Sequence, residues 1–146
     1  MKARRPYLLR ALYDWIVDSG EVPNILVDAE VPGVIVPMEH VKDGQMVLNI
    51  SPQAVRDLHL GDDFIMFNGR FGGRGFEVSL PIASIRAIYC RDTGQGLAFE
   101  DEDLLNGEQA REAIDQRSAQ VKSGENSEDD PDGDPPTKGK PSLRLV

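Results

Sequence analysis

The residues of this sequence that could do chemistry are few and scattered. Neither of the two histidines, His40 and His59, has the spacing of a metal-ligand motif. The single cysteine, Cys90, excludes an internal disulfide, and its neighbours Ile88 and Tyr89 favour a small packed residue in a strand. No nucleophile–base pair can be named, so a hydrolase with an unrecognised site is the weakest hypothesis. We therefore expect no catalytic site, no metal and no cofactor.

A glycine-rich segment, Gly72-Gly73-Arg74-Gly75, is the second place where chemistry could be sought. It lacks the Lys-Ser/Thr pair of a phosphate-binding loop and the strand–glycine–helix context of a dinucleotide fingerprint. We interpret it as a hairpin loop that permits close backbone approach. Arg70 and Arg74 flank Phe71 beside these glycines, which suits contact with an acidic or polar peptide.

The charge of the chain is concentrated near its C-terminal end. Residues 100–136 hold 13 acidic and 3 basic residues, whereas the rest holds 12 acidic and 13 basic residues. An acidic tail repels phosphates, so nucleic acid is an unlikely partner. The cluster Glu100–Asp103 lacks the order of a calcium loop, and we interpret it as the solvated start of a linker.

Targeting and membrane signals are weak throughout the sequence. Arg10 and Asp14 interrupt the first apolar stretch, and no run approaches the ~18 apolar residues of a membrane span. A single cysteine fits a reducing compartment. These features predict a cytoplasmic protein without a membrane partner.

The N-terminal segment has the pattern of an unusually apolar helix. Pro6 suits a first helical turn, the predicted helix runs from Tyr7 to about Ser19, and Gly20 suits the residue after its end. The polar residues form one narrow stripe, so the helix should bury two sides. One side would contact its own domain and the other a second copy of the chain. The alternative is a helix buried within one domain's core.

The following segment, as far as residue 99, is typical of a β-rich domain. The predicted strands, bounded by turn residues such as Asp43-Gly44, are Ile25–Val31, Val34–Pro37, Gln45–Ile50, Phe64–Phe71, Gly75–Leu80, Ile85–Arg91 and Leu97–Phe99. Ser51-Pro52 predicts a short helix through about Leu58, and Pro81–Ser84 a helical turn. The fold class is therefore mainly β with an N-terminal α-helix, either a small barrel or two packed sheets.

The rest of the chain divides into a linker and a short apolar end. Residues 1–105 form the predicted domain, 106–140 a flexible acidic linker with a transient polar helix over 107–122, and 141–146 a separate motif. The apolar ending is typical of a linear docking motif, although composition alone also fits a terminus without function. Its residues are Leu143, Arg144, Leu145 and Val146.

Several of these segments together resemble the stringent starvation protein B family of specificity-enhancing adaptors for the ClpXP protease. The resemblance is carried by Arg4–Trp15, Val31–Glu39, Asp43–Ile50, Phe67–Gly73 and Ala87–Tyr89. It implies an Sm-like β fold, a homodimer formed through the N-terminal helix, and a groove that holds the ssrA tag added by tmRNA. It also implies that the C-terminal motif binds the N-terminal zinc-binding domain of ClpX.

The resemblance assigns residues to each of these roles. The implied tag groove comprises Met46, Val47, Leu48, Asn49, Ile50, Ser51, Ala54, Val55, Asn68, Gly69, Arg70, Phe71, Gly72, Gly73 and Arg74. The implied dimer interface comprises Leu8, Leu9, Leu12, Tyr13, Trp15 and Ile16. Gly69 matches a position where the family can carry alanine, so a bulky side chain there should obstruct the tag. An Sm-like protein that binds RNA is the rival reading, by analogy of fold alone.

Overall fold

A computed structural model of the protein describes residues 1–109, 111, 112 and 115. These residues include an N-terminal helix followed by seven strands in two antiparallel sheets. The predicted fold class, mainly β with an N-terminal helix, is confirmed. Within this part of the chain, no helix combines the length and the apolar character needed to cross a membrane.

Helix α1 spans Arg5–Asp18 and has the predicted proline in its first turn. Its end is set by Gly20, which has φ +77° and donates its N–H to the carbonyl of Val17. Glycine adopts this left-handed conformation without the steric cost that other residues carry. One face of the helix, with Leu9 and Ile16, is buried in the core.

The first sheet has the strand order β2-β1-β6-β7. Its strands are β1 (Pro23–Asp28), β2 (Gln45–Asn49), β6 (Ile85–Cys90) and β7 (Gly96–Ala98). Asp43 and Gly44 both have positive φ, and Lys42 and Gln45 exchange two backbone hydrogen bonds of 2.9 Å around them. This is the two-residue turn that the Asp-Gly signal predicts.

The predicted strand Val34–Pro37 does not form. Only Ile35 pairs, through an isolated bridge to Ser79 that caps the margin of the second sheet. The segment lies between Pro32-Gly33 and Pro37, and each proline lacks a backbone N–H for a ladder. This short segment therefore contributes a single paired residue, Ile35, to the second sheet.

The second sheet has the order β3-β4-β5, with β3 at Val55–Leu60, β4 at Phe64–Phe71 and β5 at Arg74–Pro81. The β4–β5 hairpin closes on Gly72 and Gly73, which have φ +60° and +83°. Two consecutive residues with positive φ match the twist of a tight hairpin. The glycine-rich segment is thus a hairpin loop, as interpreted from the sequence.

The predicted short helix from Ser51 to Leu58 is wrong. Its first turn forms, because the carbonyl of Ser51 accepts the N–H groups of Ala54 and Val55. The chain then extends, and Val55 pairs with Gly69 in the ladder between β3 and β4. Val55 is buried in the core as a residue of β3, and this burial outweighs the local capping signal for a helix at Ser51-Pro52.

The interpretation of Glu100–Asp103 as a solvated start of a linker is also wrong. Asp103 is only 5% exposed; it is ion-paired with Arg4 and accepts the N–H of Glu100 at 2.8 Å. Asp103 lies in a 3₁₀ turn, Asp101–Leu104, and Leu104 of this turn packs against the core. This segment belongs to the folded domain.

Arg5 also holds the segment around Glu100 in place, through hydrogen bonds from its guanidinium. Its guanidinium is fully buried and donates to the carbonyls of Ile85 at 3.0 Å and Glu100 at 2.7 Å. Burial lowers the pKa of Arg5, and the positive charge of Arg86 lowers it further. The guanidinium also lies 5.3 Å from the ring centre of Phe99. We call Arg4, Arg5, Glu100 and Asp103 the arginine junction.

Beyond the junction the chain turns into a second helical segment at Gly107. Asn106 and Gln109 bond reciprocally through side chain and backbone at 2.9 and 3.1 Å, which is the pattern of a capping box. Most of the predicted helix at 107–122, the predicted linker beyond it and the motif at 141–146 lie outside the described residues.

Candidate peptide-binding site

Two adjoining cavities lie along β3 and β4 of the second sheet, and the smaller of them is also walled by β2 of the first sheet. The smaller, of about 160 Å³, is lined by Val47, Leu48, Asn49, Ala54, Val55, Phe67, Gly69, Arg70 and Phe71. The larger, of about 530 Å³, is lined by Pro52, Gln53, Ala54, Val55, Arg56, Asn68, Gly69, Arg70 and Gly75. They share four residues, so we treat them as one groove, the inter-sheet groove.

The floor of the groove depends on the missing side chain of Gly69. A Cβ atom at this position would lie 3.2 Å from Cε1 of Phe71 and 3.5 Å from Cε2 of Phe67. The first distance is tighter than ordinary van der Waals contact, so a methyl group requires a small shift and a longer side chain would project into the cavity. The smallest residue at this point therefore keeps the groove open.

Aromatic rings form one apolar wall of the groove. Phe71 contacts Phe76 edge to face, with 6.2 Å between ring centres, and His40 packs on Phe71 at 5.7 Å. Val47, on the facing strand, is half exposed. A ligand can bury apolar area here, which contributes about 25 cal/mol for each Å² removed from water.

Two arginines supply positive charge at the rim. Arg56 and Arg70 are both exposed, and the Arg70 Nη1 donates to the carbonyl of Gly73 at 3.1 Å. Neither forms an ion pair with any residue that the structure describes. Their charges are available to an acidic ligand.

The backbone around the groove also offers hydrogen bonds. Strand β2 lies at the margin of the first sheet, and β3 lies at the margin of the second. A strand at a sheet margin presents N–H and C=O groups on its outer side to an extended chain. The arrangement suits an extended peptide, recognised by main-chain pairing together with side-chain pockets.

The structure brings together nine of the fifteen residues predicted for the groove. Those that line it are Val47, Leu48, Asn49, Ala54, Val55, Asn68, Gly69, Arg70 and Phe71. Met46, Ile50 and Ser51 are buried and are not among its lining residues. Gly72, Gly73 and Arg74 form the exposed hairpin turn beside it.

Several lining residues were not predicted from the sequence: Pro52, Gln53, Arg56, Phe67 and Gly75. Arg56 was not predicted because Ser51–Leu58 was assigned to a helix, whereas the cavity contact depends on the position of Arg56 in strand β3. Phe67 could have been found, since it shares a strand face with Gly69 and Phe71 at a spacing of two.

The residues predicted for the dimer interface divide between two faces of α1. Leu9, Leu12 and Ile16 are buried in the chain's own core. Trp15 is 40% exposed, while Leu8 and Tyr13 are partly buried. Partial burial raises the pKa of Tyr13, and nearby Asp14 raises it further.

The outer face of α1 retains its own apolar character. Tyr7, Ala11 and Trp15 recur every four residues, and all three are exposed. Tyr7 also lies under the guanidinium of Arg10, at 4.7 Å. The interface implied by the resemblance does not include Tyr7 and Ala11, although the four-residue spacing places them on the same helix face as Trp15.

Three other features bear on function. The predicted docking residues, Leu143, Arg144, Leu145 and Val146, lie outside the part of the chain that the structure describes. Within residues 1–109, 111, 112 and 115, no three His, Cys, Asp or Glu side chains are grouped as a metal site. Cys90 is buried with its Sγ 3.6 Å from Glu21 Oε1, as expected for a packed thiol.

Comparison with known proteins places this geometry in context. A sequence model of a family described as Stringent starvation protein B matches residues 3–146. A curated relative from Haemophilus influenzae, described as a Stringent starvation protein B homolog, is 52% identical over 103 residues. The aligned part covers 70% of this chain and 69% of that relative.

Proposed function

The chain belongs to the stringent starvation protein B family, and from this premise we propose that it is a non-catalytic adaptor for a protease. It binds ssrA-tagged polypeptides in the inter-sheet groove and tethers them to the ClpX unfoldase. Degradation by ClpXP is thereby enhanced, as part of protein quality control in the cytoplasm. The observation that carries the proposal is an open groove between two sheet margins whose floor is kept clear by Gly69.

The groove supports recognition of an extended peptide in three ways. Main-chain groups along β2 and β3 pair with the peptide backbone, and the cavity walled by Phe71 accepts an apolar side chain. Arg56 and Arg70 attract acidic side chains of the tag. Because both arginines are exposed, each such ion pair contributes only about 0–1 kcal/mol. Main-chain pairing and apolar burial therefore carry most of the affinity.

Tethering follows from the second contact. In the proposal, Leu143–Val146 bind the N-terminal zinc-binding domain of ClpX while the groove holds the tag. Linking two weak contacts makes the second one intramolecular, with an effective concentration that reaches about 1 mM for a flexible connection. The adaptor then lowers the apparent KM for tagged substrates without performing chemistry.

The outer face of α1 supports the proposed homodimer. Tyr7 and Trp15 expose large apolar surfaces on one side of a helix whose other side is already in the core. A second copy of α1 would cover both rings, and two copies present two tails to ClpX. Sedimentation of residues 1–112 at micromolar concentration tests this, and a monomer there would remove the dimer from the proposal.

Titration of a fluorescent ssrA-tag peptide tests the function directly. The wild-type chain and Gly69→Ala should bind alike within about threefold, because alanine adds one methyl group near Phe71. Gly69→Gln should weaken binding at least about 30-fold, since its side chain fills the cavity. Equal affinity of all three proteins would show that the tag does not bind in this groove.

The same titration separates the rival function. A single-stranded RNA of matched length and label should bind the wild-type chain far more weakly than the peptide does. RNA binding without peptide binding would replace the adaptor proposal with an RNA-binding function.

A further inference from the structure

A third cavity lies beyond Asn68, on the outer face of the second sheet. Its volume is about 410 Å³, and its walls come from β3, β4, β5 and the bridged residue Ile35. Ile35 is 54% exposed and Met66 is 44% exposed, so two large apolar side chains meet at an open cavity. The proposed tag groove uses neither of them.

The charged side chains in this lining are both acidic, Asp57 and Glu77. Neither carboxylate has an ion-pair partner in the described part of the chain. Asp57 Oδ2 accepts a hydrogen bond of 3.2 Å from the amide of Asn68, which lies next to Glu77 across the ladder. The cavity therefore combines apolar walls with two carboxylates.

Asp57 occupies its position at a cost in backbone conformation. Its φ is +55°, and the pairing of β3 with β4 shifts register between Arg56 and His59. A residue other than glycine in this conformation is uncommon and is held there by its surroundings. The irregularity aims Asp57 toward the same cavity as Glu77, away from the regular ladder.

These features select a ligand in which a basic side chain stands between apolar ones. The chain itself contains such a segment, Leu143-Arg144-Leu145, preceded by Lys138 and Lys140. We propose that this segment docks in the cavity: Arg144 bonds to Asp57 and Glu77, and the leucines cover Ile35 and Met66. The cavity would then hold the docking motif in a closed state while no partner engages it.

The length of the intervening chain permits this contact. Residues 116–142, 27 in all, lie between Asp115 and Leu143. A coil of that length spans roughly 30 Å on average, comparable to the diameter of a domain of about 100 residues. At an effective concentration near 1 mM, a contact with a dissociation constant of about 1 mM is closed for half of the time. Weak docking is therefore enough to cover the motif for part of the time, and the motif stays available to a partner for the rest.

A spin label provides the test, in the full-length chain and without ClpX or a tagged peptide, so its outcome is independent of the proposed function. Ser142→Cys introduces a thiol for a nitroxide label, and the native Cys90 is buried. The methyl signal of Met66 should broaden strongly. That of Met38, an exposed methionine outside the cavity lining, serves as the reference.

Charge removal then decides the chemistry of the contact. Asp57→Asn with Glu77→Gln should reduce the broadening of Met66 at least threefold. Asparagine tolerates the positive φ and keeps an acceptor for Asn68. The matched control, Glu39→Gln with Asp63→Asn, removes two exposed carboxylates elsewhere and should leave the broadening unchanged.

Three results would overturn the inference. Met66 could broaden no more than Met38, which would mean that the segment does not dock. The broadening could survive removal of both carboxylates, which would remove Arg144 from the contact. It could also rise in proportion to protein concentration, which would assign it to the tails of other molecules.

Discussion

The arginine junction and the inter-sheet groove use the same side chain in opposite ways. At the junction, Arg5 is fully buried and donates to main-chain carbonyls, and Arg4 is paired with Asp103. At the groove, Arg56 and Arg70 are exposed and form no ion pair with the described residues. A positive charge that the fold already satisfies contributes stability, whereas one left without a carboxylate is free for a ligand.

The arginine junction and the inter-sheet groove also lie in different parts of the fold: the junction holds two distant segments of the chain together, whereas the groove is open to a ligand. The junction joins the start of α1 to the segment after β7, through contacts between residues almost a hundred positions apart. It anchors the 3₁₀ turn at Asp101–Leu104 to the N-terminal end of α1. The groove, by contrast, lies at β2 and β3, which are margins of the two sheets, and a strand at a sheet margin can pair with an extended partner.

The largest effect should come from removing the buried charge. Arg5→Met keeps an apolar stem of similar length but leaves the carbonyls of Ile85 and Glu100 without a donor. The free energy of unfolding should fall by about 3 kcal/mol. Denaturant titration measures it, with Arg70→Met as the matched control, for which the loss should stay below about 0.5 kcal/mol. If both variants lost the same free energy of unfolding, Arg5 would contribute no more to stability than the exposed Arg70.

A smaller effect is expected from the carboxylate of the junction. Asp103→Asn keeps an acceptor for the N–H of Glu100 but removes the charge that pairs with Arg4. Because Arg4 is half exposed, the loss of stability should be about 1 kcal/mol. Asp101→Asn, on an exposed carboxylate of the same turn, should cost less than about 0.5 kcal/mol. If thermal unfolding ranked the two variants in the reverse order, Asp103 would not be the anchor.

The smallest effect concerns the groove and should appear in binding alone. Arg70→Met should weaken binding of the tag peptide by no more than about fivefold at low salt, and the difference should shrink as salt rises. Fluorescence anisotropy at two ionic strengths measures this, with Arg91→Met as a control because Arg91 lies outside the lining residues. An effect that does not depend on salt would mean that Arg70 acts through packing.

Local signals in the sequence predicted the hairpins well. Asp43-Gly44 and Gly72-Gly73 fix positive φ at two consecutive residues, and only a few backbone geometries satisfy that requirement. The Phe64–Phe71 strand was therefore predicted with its observed ends. Pro6 and Gly20 likewise marked the ends of α1 to within two residues.

Features set by distant contacts were not predictable in this way. Nothing near Ser51 reveals that Val55 pairs with Gly69, so a local capping signal suggested a helix where a strand forms. The burial of Asp103 depends on Arg4, 99 residues away, and the acidic neighbours of Asp103 suggested solvent instead. Nine of the residues that the family resemblance implied line the two cavities, because such a resemblance carries information about long-range contacts.

Degradation of an ssrA-tagged reporter tests most directly whether the groove and the C-terminal motif act together as an adaptor. ClpXP would be supplied with limiting reporter, with and without this protein. Addition of the full chain should raise the initial rate severalfold by lowering the apparent KM. A chain lacking Leu143–Val146 should still bind the tag peptide yet give no stimulation. Stimulation that persists without the motif, or none from the full chain, would contradict the account.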